Sequence, residues 1–496
     1  MIQKLRFILT LLMVLLLSGF VFAGGTKDST SVDDTGIVDI KFLSFQDKFD
    51  PLEDPTRIRI KEMLGVNIIP EMGNDDSKLN LIVSSGQEYD MIMSSNRDLL
   101  ANFIANDAVH DLTDAVKEHG EYLTKFIPQE VWDMVSSNGR IYALPTEVEG
   151  ILDFGLHIRK DWLENLGLEM PATVDEFYDV LVAFKSKDPG GVGADRVIPF
   201  TAGGARILDL GINGLTQAFG IGRSPADFVE RDGRLISGLE LPESKEYISF
   251  LNKLYQEGLL DADFPAKKPS DLDKPIGSGV AGVAYSAVWW QNGVKAVQAE
   301  NSDAEIVFIP PFKDPDGKQR IERQGGLKFF HFVPKSSSKV EEVVKYANAF
   351  LDPANYTKLI LGEEGVHHKI VDGAYYPILP AFNELNKGRW FYPANAAQVY
   401  APLFAARAHK VEPMGSMFDD LNSYSSYAYQ QITDFAPNLP EIEEFGNTLK
   451  VFIDENLMRM VIDKDALSDY DDFVAEWKAL GGDELTAAYN NWYKSR

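Results

Sequence analysis

From residue 37 onward, short apolar stretches alternate with stretches that have the residue spacing of a helix. Apolar residues predict strands at 37–43, 66–69 and 89–93, and the residues between them predict helices at 56–64 and 78–84. Strands that alternate with helices form a mainly parallel sheet with helices on both faces. Ligands of such sheets bind beyond the carboxyl ends of the strands. The pattern therefore predicts a doubly wound α/β fold and the edge of its sheet at which a site lies.

Two mainly polar segments follow the first and third of these strands. They contain Phe45, Gln46 and Asp47, and Ser95, Asn96 and Arg97. Amide, carboxylate and guanidinium groups supply the hydrogen bonds that a polar ligand needs. All six residues are therefore predicted ligand contacts. The same residue types also form ordinary turns, and that alternative stays open.

A second set of alternating elements follows in the middle of the chain. The apolar stripe that includes Ile158 and Trp162 predicts an amphipathic helix, and Thr173 begins a capping box that predicts the start of another helix. Short buried strands are predicted at 197–200, 282–286 and 306–309. Together with the length of 496 residues, this second set predicts two α/β lobes.

An apolar run near the amino terminus predicts a secretory signal peptide. Residues 7–17 are apolar with one exception, follow Lys4 and Arg6, and precede Ala23, after which cleavage is expected. Residues 24–36 are small and polar and predict a flexible tether. The alternative is an uncleaved anchor, but the run is shorter than the roughly 20 residues that span a bilayer. Since the chain has no cysteine to carry a lipid, the protein is expected to be periplasmic or secreted and not a lipoprotein.

The charge of the chain restricts its partners. The formal net charge is −27, and a strongly acidic surface is repelled by phosphate backbones and anionic lipids. No nucleic-acid partner is therefore expected. An apolar content of 45% excludes general disorder.

The sequence lacks the motifs of common hydrolytic and nucleotide-dependent enzymes. It has no Gly-x-Ser-x-Gly elbow, no His-Glu-x-x-His zinc helix and no phosphate-binding P-loop. Residues 277–282 match Gly-x-Gly-x-x-Gly but lead into a strand, so they are interpreted as a loop. No catalytic residue, cofactor or metal ligand is assigned. A secreted carbohydrate-active hydrolase stays open as the alternative function, because its two carboxylates need no fixed spacing in sequence.

Four segments spread along the chain carry a resemblance to a known family. They read Asn-Gly-Arg-Ile-Tyr-Ala-Leu-Pro at 138–145, Ile-Arg-Lys-Asp-Trp-Leu at 158–163, Glu-Gly-Val-His at 364–367 and Trp-Lys-Ala-Leu-Gly-Gly at 477–482. In order and spacing these segments resemble the extracellular solute-binding proteins of family 1, specifically the large LipO-like members that serve ABC importers. The resemblance covers nearly the whole chain after the predicted signal peptide.

The resemblance implies a periplasmic binding protein-like type II fold, in which two doubly wound α/β lobes joined by a hinge close on a ligand. It implies an N-terminal lobe of residues 37–147 with 327–375 and a C-terminal lobe of residues 148–326 with 376–496. The implied function is to capture a sugar or oligosaccharide outside the cytoplasm and deliver it to the ABC permease subunits, without catalysis. We expect a monomer without a cofactor.

The resemblance also implies where aromatic ligand contacts lie. A pyranose has an apolar C–H face and a rim of hydroxyls, so its site needs flat aromatic side chains edged by polar groups. Trp289 and Trp290 stand where the family has a cleft aromatic, Trp390 lies near the last predicted crossing between lobes, and Tyr142 and Glu147 lie at the hinge. Peptides, polyamines and uronates stay open as ligands.

The resemblance does not assign a calcium ion to this chain. In members with a calcium loop, an Asp-Pro segment carries further oxygen-bearing side chains. Here the segment from Asp188 has Gly190 and Val192 at positions where a hard cation needs oxygen ligands. We therefore predict no metal site.

Overall fold

The computed structural model describes residues 36–44, 51–73, 75–203, 211–385 and 392–496. Contacts divide the chain into two units, Met1–Val38 and Asp39–Arg496. The predicted signal peptide, all of the predicted tether except Gly36, and four predicted ligand contacts lie outside the described residues; these contacts are Phe45, Gln46, Asp47 and Trp390. None of the helices that the structure describes is both long enough and apolar enough to cross a membrane.

The strands and helices within the described ranges are numbered in chain order. The strands are β1 Val38–Ser44, β2 Val66–Met72, β3 Met91–Ser94, β4 Ser136–Ser137, β5 Arg140–Ile141, β6 Leu144–Glu147, β7 Phe154–Arg159, β8 Ile198–Thr201, β9 Phe228–Arg231, β10 Arg234–Ser237, β11 Ala281–Ala287, β12 Ile306–Phe308, β13 Ile321–Glu322, β14 Leu327–Phe332, β15 His368–Val371, β16 Ala374–Pro377 and β17 Ala428–Tyr429. The helices are α1 Pro55–Leu64, α2 Asp76–Ser85, α3 Arg97–Ala105, α4 Thr113–His119, α5 Glu121–Phe126, α6 Gln129–Asp133, α7 Lys160–Leu166, α8 Val174–Lys187, α9 Pro242–Gln256, α10 Asp273–Gly277, α11 Asn292–Glu300, α12 Val340–Leu351, α13 Pro353–Leu361, α14 Ala381–Leu385, α15 Ala397–Ala408, α16 Met414–Asn422, α17 Pro440–Ile462, α18 Tyr470–Trp477 and α19 Asp483–Lys494.

The first sheet has five strands in the order β2-β1-β3-β14-β6. Strands β1 and β3 are parallel, whereas β14 runs antiparallel to both β3 and β6. The carboxyl ends of β1, β3 and β6 therefore lie at one edge of the sheet, together with the amino end of β14. This edge carries Ser44, Ser94, Glu147 and Leu327.

The second sheet has four strands in the order β12-β7-β11-β8. Strands β8 and β11 are parallel, and β7 runs antiparallel to β11 and β12. Phe154, at the amino end of β7, is therefore opposite Ala287, at the carboxyl end of β11. Helices α8 and α9 bury Phe177, Phe184 and Leu251 in the core cluster that includes residues of this sheet.

Three parts of the chain join the two sheets, and we call them the crossing segments. Residues 148–153 lead from β6 to β7, and residues 323–326 lead from β13 to β14. The third is α15, which follows Asn395 beside β6 and precedes α16, whose Asp420 accepts a hydrogen bond from the backbone of β12. The first segment runs between the carboxyl edges of the two sheets, and the second reaches the carboxyl edge of the first sheet from β13, which pairs with β17. These are the edges at which the sequence predicts a site.

The structure confirms the predicted alternation of strands and helices and corrects one local prediction. Thr173 caps α8, since its hydroxyl accepts a hydrogen bond from the backbone N–H of Glu176 at 3.2 Å. Ile158 is not on a helix but in β7, buried on both faces, and α7 begins at Lys160. The apolar spacing alone could not separate a buried strand from the first turn of a helix.

Candidate functional site

Backbone hydrogen bonds tie the crossing segments together at Glu147. The N–H of Glu147 donates to the carbonyl of Asn395 at 3.0 Å, and the side-chain amide of Asn395 donates to the carbonyl of Glu147 at 3.0 Å. The N–H of Val148 donates to the carbonyl of Gly326 at 3.1 Å. The Glu147 carboxylate accepts a hydrogen bond from the N–H of Ala397 at 2.7 Å. We call Glu147, Val148, Gly326, Asn395 and Ala397 the strand junction.

Glu147 is held inside the strand junction rather than on an open surface. Only 6% of the residue is exposed. Burial raises the pKa of Glu147 to about 7, and the N–H of Ala397 and the positive charge of Arg323 offset part of this rise. The predicted contact of Glu147 with a ligand stays a prediction, but one of its oxygens already holds α15 in place.

A charged cluster lies next to the strand junction. The guanidinium of Arg223 donates to Glu322 at 2.8 Å and to Asp434 at 2.5 Å, and Asp227 lies 4.0 Å from it. Asp434 in turn accepts a hydrogen bond from the N–H of Gly325, on a crossing segment, at 3.0 Å. Burial would lower the pKa of Arg223, but Asp227, Glu322 and Asp434 raise it. The cation therefore stays charged and connects three carboxylates.

Further charges extend this cluster along the crossing segments. Lys328 at the start of β14 forms an ion pair with Glu149. Asp153, at the end of the first crossing segment, has a pKa raised to about 7 by burial and then by the charges of Glu322 and Glu149. Burial likewise raises the pKa of Glu322 to about 7, against the opposing effect of Arg223. We call this set the floor cluster; it comprises Glu149, Asp153, Arg223, Asp227, Glu322, Lys328 and Asp434.

An exposed tryptophan lies next to the floor cluster. The rings of Trp289 and Trp290 meet the ring of Phe154 edge to face, at 5.5 and 5.4 Å between centroids. Trp289 is 39% exposed, whereas Trp290 packs against the core of the second sheet. The carbonyl of Asp153 accepts a hydrogen bond from the N–H of the residue before Trp289, at 2.9 Å. An exposed aromatic ring therefore lies at the carboxyl edge of this sheet, where the first crossing segment ends.

The structure brings two other predicted residues to one pocket. Arg97 and Tyr142 line a pocket of about 490 Å³ together with Asn438. The guanidinium of Arg97 donates to the carbonyl of Ala436 at 2.6 Å, so it connects α3 with the loop before α17. Asn96 caps α3, since its side chain accepts from Leu99 at 3.1 Å. This is the turn-forming role that the sequence left open, and Ser95 beside it is exposed.

Sequence reasoning missed Arg223, Glu322 and Asp434. Their hydrogen bonds join residues 99 and 211 positions apart. Asn213 was also missed, although its side chain donates to the carbonyls of Phe154 and Glu322. The spacing of residues along the sequence does not indicate such contacts, because each of these residues lies on a different segment.

The loop at Asp188 uses its carboxylate internally. Both oxygens of Asp188 accept hydrogen bonds from the loop backbone, from Val192 at 2.9 Å and from Gly193 at 2.8 Å. Within the described part of the chain, no three histidine or acidic side chains are grouped so as to hold a metal ion. The loop geometry is accounted for by Asx-type hydrogen bonds of a turn.

Comparisons with known proteins agree with this architecture. A family model described as bacterial extracellular solute-binding protein matches residues 70–357. Over 97% of its length the chain is 26% identical to 98% of lipoprotein LipO of Bacillus subtilis (strain 168). It is also 26% identical, over 98% of both chains, to the polygalacturonan/rhamnogalacturonan-binding protein YtcQ of the same organism.

A solved structure shows the fold. The substrate-binding protein FusA of Streptococcus pneumoniae, in complex with kestose, superimposes with a TM-score of 0.69 over 92% of this chain and 99% of that one, at 20% identity. The predicted fold class, a type II binding-protein fold of two doubly wound α/β lobes joined by a hinge, is thereby confirmed.

Proposed function

The chain belongs to the bacterial extracellular solute-binding proteins, and we propose that it is the binding component of an ABC importer for a sugar or oligosaccharide. It holds the ligand between two lobes and delivers it to the membrane permease. The names of its relatives support this proposal, since YtcQ is named a polygalacturonan/rhamnogalacturonan-binding protein and a FusA structure contains kestose. The protein changes no bond of the ligand and acts as a monomer outside the cytoplasm.

One observation carries the assignment of a carbohydrate ligand. The exposed ring of Trp289 packs on Phe154, the residue after Asp153, at the edge where the first crossing segment joins the second sheet. Sugar rings stack their C–H face on aromatic rings, and their hydroxyls donate to carboxylates. Tyr142 and Arg97, on the side of the first sheet, support a ligand that contacts both lobes.

We propose that the strand junction is the pivot of lobe closure. The N-terminal lobe then comprises residues 39–147 and 327–396, and the C-terminal lobe comprises residues 154–322 and 414–496, with α15 as the third passage. This moves the last boundary beyond the predicted position at residue 376, because α14 contacts α1 through Arg59 and Leu385. A ligand that contacts both lobes only when they are closed shifts the equilibrium to the closed form.

Export of the protein from the cytoplasm depends on the signal peptide that the sequence predicts. We propose that the signal peptide is removed after Ala23 and that the protein carries no lipid, since the chain has no cysteine. Mass spectrometry of the protein secreted by a bacterial host measures the mature amino terminus. An intact residue 1 in the exported protein would contradict cleavage.

The proposed function is tested by a thermal-shift screen of mono- and oligosaccharides. A ligand at about 100 times its Kd stabilises a protein by about 2.7 kcal/mol, so at least one sugar is expected to raise the Tm. Incubation of the same sugars with the protein, followed by an assay for reducing ends, tests the hydrolase alternative. A rise in Tm without new reducing ends supports a binding protein; new reducing ends support the enzyme.

Two tryptophan variants then test the placement of the site. Trp289→Ala is expected to remove most of the sugar affinity with little change in Tm, because the ring is exposed. Trp290→Ala is the matched control and is expected to lower the Tm more, since its ring packs on the core. Unchanged affinity in Trp289→Ala would refute the placement. Phe45, Gln46, Asp47, Ser95 and Trp390 stay proposed contacts for the same assay.

A further inference from the structure

We propose that Arg323 binds the ligand at the base of the cleft and that its guanidinium gives the protein specificity for a sugar that carries a carboxylate, a uronate oligosaccharide. This inference rests on the proposed function, because it assigns a ligand class to the same cleft. It decides between ligand chemistries that the sequence left open. The relatives do not decide it, because one is named for polygalacturonan and another contains kestose.

Arg323 begins the second crossing segment, where the two lobes meet. Its backbone N–H donates to the carbonyl of Tyr429, in β17, at 2.9 Å. Three residues later, the carbonyl of Gly326 accepts from the N–H of Val148, in the strand junction, at 3.1 Å. The segment therefore runs from the C-terminal lobe to the carboxyl edge of the first sheet. A ligand held between two lobes lies against the segments that join them, because these segments form the base of the cleft.

The guanidinium of Arg323 has no acceptor among the described residues. The side chain is half-buried, and its Nε is buried without a hydrogen-bond partner. In the described ranges no carboxylate forms an ion pair with it, whereas Arg223 pairs with two. A cation that is partly removed from water without an acceptor is costly. An acceptor that a ligand supplies removes this cost, so the free guanidinium favours ligand binding.

The carboxylates near Arg323 already have donors of their own. The positive charge of Arg323 acts on Glu147, but no ion pair joins the two side chains, and Glu147 accepts from the N–H of Ala397 at 2.7 Å. Glu322, the residue before Arg323, accepts from Arg223 at 2.8 Å. A carboxylate of the ligand therefore offers Arg323 a pairing that the protein does not supply.

A second cation beside the cleft also lacks a carboxylate partner. Arg97 lines the pocket of about 490 Å³ together with Tyr142, and its guanidinium donates to the carbonyl of Ala436. Within the described part of the chain it forms no ion pair. A carbonyl accepts a hydrogen bond but does not neutralise a charge. The lobes therefore present two uncompensated cations, Arg323 and Arg97, although the chain as a whole is acidic.

A guanidinium and a carboxylate match in geometry as well as in charge. The planar guanidinium stays protonated in proteins and donates two parallel hydrogen bonds to a carboxylate. Such bonds are stronger than a bond to a neutral hydroxyl, so a uronate is expected to bind more tightly than the same sugar without its carboxylates. The net charge of −27 acts mainly on the rate of encounter, since exposed charges farther away than about 8 Å are screened at physiological ionic strength.

The test compares sugars that differ only in charge. The probes are oligosaccharides of galacturonate, glucuronate and mannuronate, each beside the neutral sugar made from it by reducing its carboxyl groups, together with kestose. Calorimetry measures each Kd. At least one uronate is expected to bind about tenfold or more tightly than its reduced form. A panel in which only neutral sugars bind, or in which no uronate exceeds its reduced form, would overturn the inference and leave the proposed function standing. A panel without any bound sugar would overturn both.

Variants of Arg323 separate its role from the net charge of the protein. Arg323→Gln removes the charge and is expected to weaken uronate binding about tenfold or more, while the affinity for the reduced sugar changes less than about threefold. Arg323→Lys keeps the charge without the planar pair of donors, so an intermediate loss is expected. Arg196→Gln makes the same charge change at an exposed arginine and is expected to leave both affinities unchanged.

The ratio of the two affinities distinguishes a ligand contact from a structural role. If Arg323→Gln weakens both sugars equally, Arg323 acts through the hinge and the inference is wrong; unchanged affinities would equally contradict it. Higher salt is expected to weaken uronate binding in the original protein more than in Arg323→Gln, because an ion pair is screened. A Tm measurement shows that each variant is folded, and Arg323→Lys carries the test if Arg323→Gln is not.

Discussion

The strand junction and the floor cluster lie next to each other and hold their carboxylates in different ways. In the strand junction, Glu147 accepts from the backbone N–H of Ala397. In the floor cluster, Glu322 and Asp434 are held by the guanidinium of Arg223. A hydrogen bond from a backbone N–H fixes the path of the main chain, whereas an ion pair with a side chain compensates the charge of a buried carboxylate. The two regions therefore differ in what their carboxylates hold in place: the start of a helix in the strand junction and a buried cation in the floor cluster.

Among the variants that test this comparison, removal of Arg223 is expected to cause the largest loss of stability. Arg223→Met leaves three carboxylates without their cation, and breaking a buried ion pair in this way costs about 3–5 kcal/mol. Urea unfolding measures the loss. Arg231→Met is the control, because its pair with Glu243 is about one third exposed on both sides and is expected to be worth at most about 1 kcal/mol. Equal losses in the two variants would mean that the floor cluster is no more important to stability than a surface pair.

The contact between the two regions is tested next, at Gly326. This residue has φ 79°, and a Cβ added to it would lie 2.2 Å from the carbonyl oxygen of Asp434. Gly326→Ala is expected to lower the free energy of unfolding by about 2–4 kcal/mol, from backbone strain and overpacking together. Gly317 has φ 78° with open space around it. Gly317→Ala is therefore expected to lower the free energy of unfolding through backbone strain only, by about 1 kcal/mol. Similar costs in both variants would show that the segment can move away from Asp434.

The strand junction itself is tested through its pH dependence. The pKa of Glu147 is raised from 4.5 to about 7 in the folded protein, so the folded state binds this proton more tightly than the unfolded state. The group therefore lowers the free energy of unfolding progressively as pH rises from about 4.5 to about 7. Glu147→Gln has no titrating carboxyl group, so it removes this loss. Its side-chain amide oxygen can still accept the hydrogen bond from the N–H of Ala397.

The measured quantity is the difference in unfolding free energy between Glu147→Gln and the original protein. It is expected to grow in favour of the variant by up to about 3 kcal/mol over that pH range. Glu88→Gln is the control at a side chain that is 81% exposed. The difference in unfolding free energy between this variant and the original protein is expected not to change with pH. A flat difference for Glu147→Gln as well would mean that Glu147 titrates as it does in the unfolded chain.

The smallest loss of stability is expected for a variant at the edge of the floor cluster. Lys328 pairs with Glu149 and is about one third exposed, so Lys328→Met is expected to cost about 1 kcal/mol or less in urea unfolding. A loss as large as that of Arg223→Met would show that stability here does not depend on how many carboxylates share a cation. Lys41→Met, at an exposed pair with Glu88, is the comparison on the outer surface.

Much of the fold could be predicted where its signal is local. Thr173 and Glu176 are three residues apart, and the capping hydrogen bond that they predict is present. Strand β11 extends one residue at each end beyond its predicted range. Ile158 was assigned to a helix because its spacing to Trp162 fits one turn, but its pairing with Val283 places it in a strand. Pairing across a sheet overrides spacing along the chain.

The candidate site could be predicted only in part. Trp289 was named beside Trp290 from the sequence, but only packing against the core of the second sheet distinguishes the half-buried ring of Trp290 from the exposed ring of Trp289. Arg223 carried no signal, because its partners are distant in sequence. Asn96 was named as a ligand contact, and the structure shows its side chain capping a helix.

The sequence by itself determined the alternating strands and helices, the excess of acidic charge and the residues that follow the strand ends, since these depend on neighbours within a few positions. The tertiary structure decided which charges meet. It placed Glu322 and Asp434 on Arg223, and it paired Lys328 with Glu149. The physical reason is that the strength of a charge interaction depends on distance and burial in space, and neither quantity follows from separation along the chain.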